Sequence, residues 1–323
     1  MAKIQPAQTK LYFVDTIENL NNHYIDIAQV CSYVNRRQYE QGKSYYVEQI
    51  KTLSNPANPV AANYNVLFST IPDTWVTANA WVKAKALWDQ MNEKVLEDNP
   101  SVQGKWAQFI TFMDVAHQNG GSGTAGPNLN LLPKDSGNNA IGTGEWAVSE
   151  YVFPQHTVNT TTGAPLAADE ATCHMLGDDD GDVTAGTLAS GGIIASFQDT
   201  RARVQVAPDV PADMSISWMT LLTDDGSQEP ELADIIEAAN DEPPYDRDDY
   251  VGGAANWSLP VNMGTSLIGL YSPEDTLMGF KVPLGLMKIS CVESVSTNNP
   301  SMLIELKLAK GHYKGVAATE VRQ

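Results

Sequence analysis

The stretch Gly177–Gly186, GDDDGDVTAG, places Asp178, Asp180 and Asp182 at alternate positions. Carboxylates spaced in this way on a turn can converge on a hard, oxygen-seeking cation, and calcium is the ion that chemistry suits. The run departs from an EF-hand loop: Val183 stands where the glycine should be, and no glutamate follows at the twelfth place. A solvated acidic loop is the plainer reading of the same residues. A second acidic run, Asn240–Asp249 (NDEPPYDRDD), reads as a helix exit and an exposed turn.

Lys3, Lys10, Arg36, Arg37 and Lys43 form the densest basic region, interleaved with Tyr33, Tyr39, Tyr45 and Tyr46. Cations and aromatic rings together can hold single-stranded nucleic acid, through phosphate contacts and base stacking. An ordinary solvated turn explains the same residues without a ligand. Catalytic patterns are lacking. His23, His117, His156, His174 and His312 lie far apart, with no HExxH spacing, and there is no GxSxG, phosphate loop or dinucleotide fingerprint. The expectation is a protein without enzymatic activity. Cys31, Cys173 and Cys291 are scattered and odd in number, which suits three buried thiols better than a disulfide or zinc site.

These residues sit in a chain of 323 residues with 42% hydrophobic content, a net charge of -19 and a pI near 4.5. That length can bury one large core or two small ones. No apolar run is long enough to span a membrane, and MAKIQPAQTK lacks the apolar core of a secretory signal. Charge is segregated. Residues 1–105 balance ten basic against ten acidic residues, residues 106–275 hold four basic and twenty-six acidic, and residues 276–323 hold six basic and three acidic. The middle of the chain therefore exposes an acidic surface that repels nucleic acid, and the two ends do not.

One segment carries a long helical period. In Ile71–Glu97, Trp81, Ala84, Trp88, Met91 and Val95 fall on one face. Asp73 or Thr74 can cap its start, and Asn99-Pro100 ends it. Trp81, Trp88, Met91 and Val95 are expected to form a core-facing stripe laid on a sheet. A second helix is marked by Pro230, by Leu232, Ile235, Ile236 and Ala239, and by the stop Pro243-Pro244. Strand signals fall at Lys10–Ile17, Ser44–Leu53, Tyr64–Ile71, Gly104–Met113, Glu145–Pro154, Ala171–Leu176, Gly192–Thr200, Leu267–Tyr271, Thr276–Val292 and Ser301–Ala309. His23–Val34 suits strand or helix. Long polar loops are expected at about 119–144, 155–191 and 240–256. The pattern is an all-β sandwich with helical insertions.

Three pieces together resemble the capsid proteins of small circular single-stranded DNA viruses from aquatic samples. They are STIPDTWVTANAWVKAKALWDQMN, DIIEAANDEPPYDRDDYVGG and the ending VPLGLMKI…LIELKLAKGHYKGVAA. The resemblance implies a viral jelly roll, one elaborated domain over 1–323, self-assembling into an icosahedral virion shell around a small genome. A compact double jelly roll, with halves of about 1–160 and 161–323, is the alternative architecture. Many such proteins begin with an arginine-rich arm that neutralises the genome. This sequence opens without one, so genome contact through Lys3, Lys10, Arg36 and Arg37 is expected to be weak or indirect. In a jelly roll the first and last strands commonly pair. The near-neutral ends are then expected to lie towards subunit contacts or genome, and the acidic middle outside. The rival functions are a carbohydrate-binding β-sandwich or adhesin using exposed tryptophans, and a sandwich glycosidase with two acids at a cleft.

Overall fold

A computed structural model describes residues 6–16, 22–54, 64–102, 108–118, 130–142, 146–153, 169–177, 190–199, 259–269, 271–293 and 301–321. Strands dominate. The first sheet is built from β1 (Lys10–Thr16), β3 (Lys43–Ser54), β9 (Glu274–Met278), β10 (Lys281–Val282), β12 (Ser301–Leu308) and β14 (Ala318–Glu320). Its order is β1-β12-β3-β10, with β9 and β14 also paired to β3. The second sheet runs β2-β11-β4-β8, from β2 (Asn22–Asp26), β4 (Tyr64–Thr70), β8 (Val261–Ile268) and β11 (Leu286–Glu293). Every pairing in these two sheets is antiparallel. The first strand and the last long strand are neighbours, Lys10 opposite Lys307 and Phe13 opposite Ile304.

Period-two alternation explains why these strands stack as two layers. Leu11 and Phe13 of β1, Val47 and Ile50 of β3, and Ile304 and Leu306 of β12 are buried inward. They meet Ile25 of β2, Val66 and Phe68 of β4, Ile268 of β8, and Met287, Ile289 and Cys291 of β11. The alternate residues of the first sheet face out as an ion-pair ladder: Lys10 to Glu305 at 2.9 Å, Lys51 to Glu274 at 2.8 Å, and Lys307 to Glu48. The stretch Ile27–Asn35 turns helical directly after β2 (α1) and closes one end of the core with Ile27, Ala28, Val30 and Cys31.

A further layer covers part of the outer side of the second sheet, where Tyr24 and Leu286 face away from the first core. That layer comprises α2 (Trp75–Asp98), the loop 108–114, α3 (Val115–Gln118), a small sheet of β5 (Glu150–Phe153), β6 (Asp169–His174) and β7 (Ser190–Gly192), and α4 (Ile193–Asp199). Tyr24, Ile71 and Leu286 pass through to a second core with Val76, Ala80, Trp81, Phe109, Met113, Tyr151, Cys173, Met175 and Ile194. A hairpin of β13 (Lys310–Tyr313) and β14 finishes the described chain.

The helix α2 starts where its cap predicts: Thr74 Oγ1 accepts the Thr77 N–H at 3.3 Å. It ends at Asn99, whose backbone leaves helical geometry before Pro100. Its apolar stripe is only half covered. Trp81 is 8% exposed and Trp88 and Met91 pack at the rim of the second core, but Val95 is 50% exposed. The helix outruns the layer beneath it, so Val95 is not a core residue. Two strand expectations are also corrected. Of the stretch expected as a strand at Gly192–Thr200, Gly192 ends the three-residue β7 and Ile193–Asp199 form the helix α4. Residues 108–113 are an irregular segment with one isolated bridge, Phe112 to His174. The helix expected at 230–239 and the loop 240–256 lie outside the described residues, as do 119–129 of the first long loop. Its remainder, 130–142, lies along β1 and β2, with Lys134 N–H on Tyr12 O and Leu131 N–H on Tyr24 O.

Candidate interaction surfaces and buried polar groups

Asp178, Asp180 and Asp182 lie outside the described residues, and so does Lys3. Among the described residues, no three His, Cys, Asp or Glu side chains converge as metal ligands would. The other basic candidates are visible. Arg36 and Arg37 are exposed at the C-terminal end of α1, and Arg36 takes a left-handed backbone, φ 54°. Positive charge there complements the helix dipole. Gln8 N–H donates to Asn35 Oδ1 at 2.7 Å, and Asn35 Nδ2 returns to Gln8 O at 3.2 Å. The strand that starts at Lys10 therefore begins beside this turn. Lys10 itself is spoken for by Glu305.

The sequence hid a further member of this basic end. Lys314, in the β13–β14 turn, also has a left-handed backbone, φ 50°, and its ammonium bonds Gln38 O one residue beyond Arg37. It sits 5.0 Å from the Tyr313 ring centroid and 5.8 Å from that of Tyr39. Only contact between residues distant in sequence brings it here. The tyrosines read as stacking platforms do not serve. Tyr33, Tyr39 and Tyr45 are buried, and burial pushes the phenols of Tyr39 and Tyr45 above their ordinary range. Of the four, only Tyr46 is partly open. The basic end can take phosphate but offers little to bases.

Apolar exposure concentrates elsewhere. Leu259, Val261, Met263, Leu267, Tyr271 and Met278 are exposed along β8, the tight β8–β9 turn and the end of β9. Residues 259–273 contain no charged side chain. β8 is the edge of its sheet, and uncharged apolar edges are places where chains associate. The outer half of α2 adds Leu87, Val95 and Leu96.

Among the described residues, two clefts are large enough for ligands. One, of about 730 Å³, lies between α2 and the sandwich, lined by Gln38, Glu40, Trp81, Lys85, Asp89 and Glu320 among others. Its aromatic floor is closed: Trp81 is 8% and Phe109 2% exposed, so neither ring offers an open face for a sugar. The other, of about 820 Å³, lies over the outer face of the first sheet, where Val14, Leu53 and Leu303 meet Lys134, Asn138 and Ile141.

Buried polar groups form a continuous chain joining the sandwich to its outer layer. Asp114 accepts Tyr24 O–H at 2.6 Å and the His117 N–H at 2.8 Å, and pairs with Lys288 at 2.8 Å. Desolvation would raise its pKa, but the lysine and the hydrogen bonds win and hold it below the usual carboxylate range. The Met113 N–H donates to His117 Nδ1 at 3.1 Å. That ring nitrogen must therefore be unprotonated, and Nε2–H donates to Asn130 Oδ1 at 2.9 Å. Asn130 donates to Gln29, and Gln29 to Tyr33. The His117 ring stacks on Tyr24, centroids 4.1 Å apart.

One arrangement has the residue types of a nucleophile and its base. His174 Nδ1 lies against Ser190 Oγ, but both residues are fully buried, so no substrate reaches them. The three cysteines are buried thiols outside any disulfide; burial raises the Cys31 thiol and pushes that of Cys173 up to about 12, which makes both inert. No family model, curated protein or solved structure matches this chain.

Proposed function

We propose that this chain is a non-enzymatic capsid protein: a jelly roll whose copies assemble into an icosahedral shell around a small, single-stranded DNA genome. The observation that carries the reading is the strand order. Taking β1, β2, β3, β4, β8, β9, β11 and β12 as the first to eighth strands, one sheet joins the first, eighth, third and sixth. The other joins the second, seventh, fourth and fifth. Rolling a long antiparallel hairpin into two sheets produces this order, the arrangement of viral capsid and lectin jelly rolls. The eight strands come from residues 10–70 and 261–308, which favours one elaborated jelly roll over two. The remaining elements are then insertions, chiefly between the fourth and fifth strands.

Fold alone does not separate a shell protein from a lectin. The 730 Å³ cleft, with its amides and carboxylates, is the observation that favours the carbohydrate-binding alternative. Its closed aromatic floor counts against it, and the uncharged ridge of residues 259–273 favours association. In an acidic chain, a neutral ridge is where copies can approach without like-charge repulsion. The basic end around Arg36 and Arg37 faces the genome in this reading.

Electron microscopy of the expressed and purified chain, with and without a calcium chelator, tests the proposal, alongside binding to a glycan array. Closed particles of uniform diameter are expected, with no glycan retained. Dispersed single subunits that bind a defined glycan would replace the capsid reading with the lectin one. Particles that fall apart only with chelator would make the Asp178–Asp182 loop a bridging calcium site.

A further inference from the structure

β8 is an edge strand of the second sheet, and an open edge is a row of backbone groups on which another chain can pair. The local sequence favours such pairing. Thr265–Tyr271 reads TSLIGLY, with β-branched and aromatic side chains, no charge and no proline. Segments of that composition stack as added strands when their backbone is free. The fate of each outward N–H along β8 therefore decides what the edge can do.

In an antiparallel pair, successive residues turn their N–H groups alternately towards the partner strand and away from it. Leu267 lies opposite Asn65 of β4, and its N–H turns away to Asp275 Oδ2 at 2.9 Å. Thr265 and Gly269, two residues to either side, share that outward direction. Gly269 is closed by the β8–β9 turn: its N–H donates to Ser272 O at 3.0 Å, and its O accepts the Ser272 N–H at 3.1 Å. Beyond Thr265 the register with β4 shifts at Met263, and the Gly264 N–H goes to Asn262 Oδ1 at 3.0 Å. A bulge of this kind breaks the regular row. Between bulge and turn, the Asp275 carboxylate leaves only Thr265 with an outward N–H to offer. Without it, Thr265 and Leu267 would present two in succession, about 7 Å apart, the repeat an added strand matches.

The carboxylate is held in place from several sides. β9 pairs with β3 and sets Asp275 opposite Thr52. Thr52 Oγ1 meets Ser266 Oγ at 2.5 Å, which ties β3 of the first sheet to β8 of the second at this point. Asp275 Oδ1 accepts the Thr276 N–H at 2.7 Å. Burial opposes the charge, but the Leu267 and Thr276 N–H groups hold the carboxyl below its ordinary value.

We propose that Asp275 is an edge guard: its carboxylate occupies the outward N–H of Leu267 and so stops a second copy of this chain from adding a strand to β8. Copies that meet at the neutral ridge then do so through its side chains. The guard belongs to each subunit and does not depend on the capsid reading.

The test is hydrogen exchange at residue resolution in the full chain. In the unaltered protein, Leu267 should exchange about tenfold or more slower than Thr265, after correction for intrinsic rates. Asp275→Ala should erase that difference while the Ile50 amide in the core keeps its protection. On concentration, Asp275→Ala should form thioflavin-binding species in which both edge amides become protected. Adding Thr265→Pro, which removes the other outward N–H, should suppress those species. Equal exchange at Thr265 and Leu267 in the unaltered chain would overturn the proposal, and that measurement stands even where Asp275→Ala fails to fold. An Asp275→Ala chain no more associated than the unaltered one, or aggregates in which Thr265 and Leu267 still exchange freely, would overturn it as well.

Discussion

Replacing Gly42 by alanine should unseat α2 from the sandwich. An ideal Cβ at this position would lie 2.1 Å from Cη2 of Trp81, 2.4 Å from Cζ2 and 2.9 Å from Cζ3. Real Cβ atoms do not approach carbon so closely, and the indole cannot step aside. Trp81 is 8% exposed and lies 5.9 Å, centroid to centroid, from the buried Phe109 ring. The Gly42 backbone is not left-handed, so the cost is steric and not conformational. Overpacking of this kind costs about 1–3 kcal/mol. Reduced freedom of the unfolded chain returns about 0.4–1 kcal/mol. The net expectation is a loss of about 1–2 kcal/mol. Urea unfolding followed by tryptophan fluorescence reads it as a lower midpoint at constant slope. The cause is tested by Trp81→Phe, which deletes the outer ring that the new methyl would strike. In that background Gly42→Ala should cost almost nothing, giving a coupling of about 1 kcal/mol or more. A neutral Gly42→Ala, or the same loss in both backgrounds, would refute the placement of α2.

Other perturbations have defined directions. Asp114 is held below its ordinary value in the fold, so the stability it contributes is present above about pH 4 and is lost as pH falls through that value and below. Asp114→Asn should flatten that acid limb in thermal melts, and Lys288→Met, which strands the carboxylate, should cost about 3 kcal/mol at pH 7. Asp26 has the opposite sign. Its folded value is raised to about 7, so stability falls as pH rises from about 4 to 7 and is flat above, and Asp26→Asn should remove that slope. Phe68→Ala empties the middle of the sandwich core and should cost about 3–5 kcal/mol in chemical unfolding. Arg36→Glu with Arg37→Glu should weaken single-stranded DNA binding and reduce the salt slope by about 1.4, at about 0.7 per lost contact.

How far the chain can be read in advance depends on what each element buries. β1, β3, β4 and β12 alternate between a core face and a solvent face, so their strands were legible within a residue or two. β8 begins at Val261, well before the expected Leu267, because an edge strand with an open face carries polar residues that do not look like sheet. Residues 108–113 have an alternating pattern but take some of their backbone hydrogen bonds from side chains: Gln41 serves Thr111 and Ser149 serves Ile110. No local pattern announces such partners. Ile193–Ala195 is too short an apolar run to separate strand from helix. The stripe on α2 shows what periodicity can establish, namely that one face is apolar, and what it cannot, namely how far anything covers it. For the candidate sites, composition found Arg36 and Arg37. Lys314, held on Gln38 O, comes to this end only through contact between distant segments.

Sedimentation velocity of the purified chain, alone and mixed with single-stranded DNA at fixed pH and salt, tests the capsid reading most directly. The account predicts a boundary of megadalton mass and narrow width, with DNA co-sedimenting inside it. A single boundary at the mass of one 35.0 kDa subunit, with and without DNA, would contradict it.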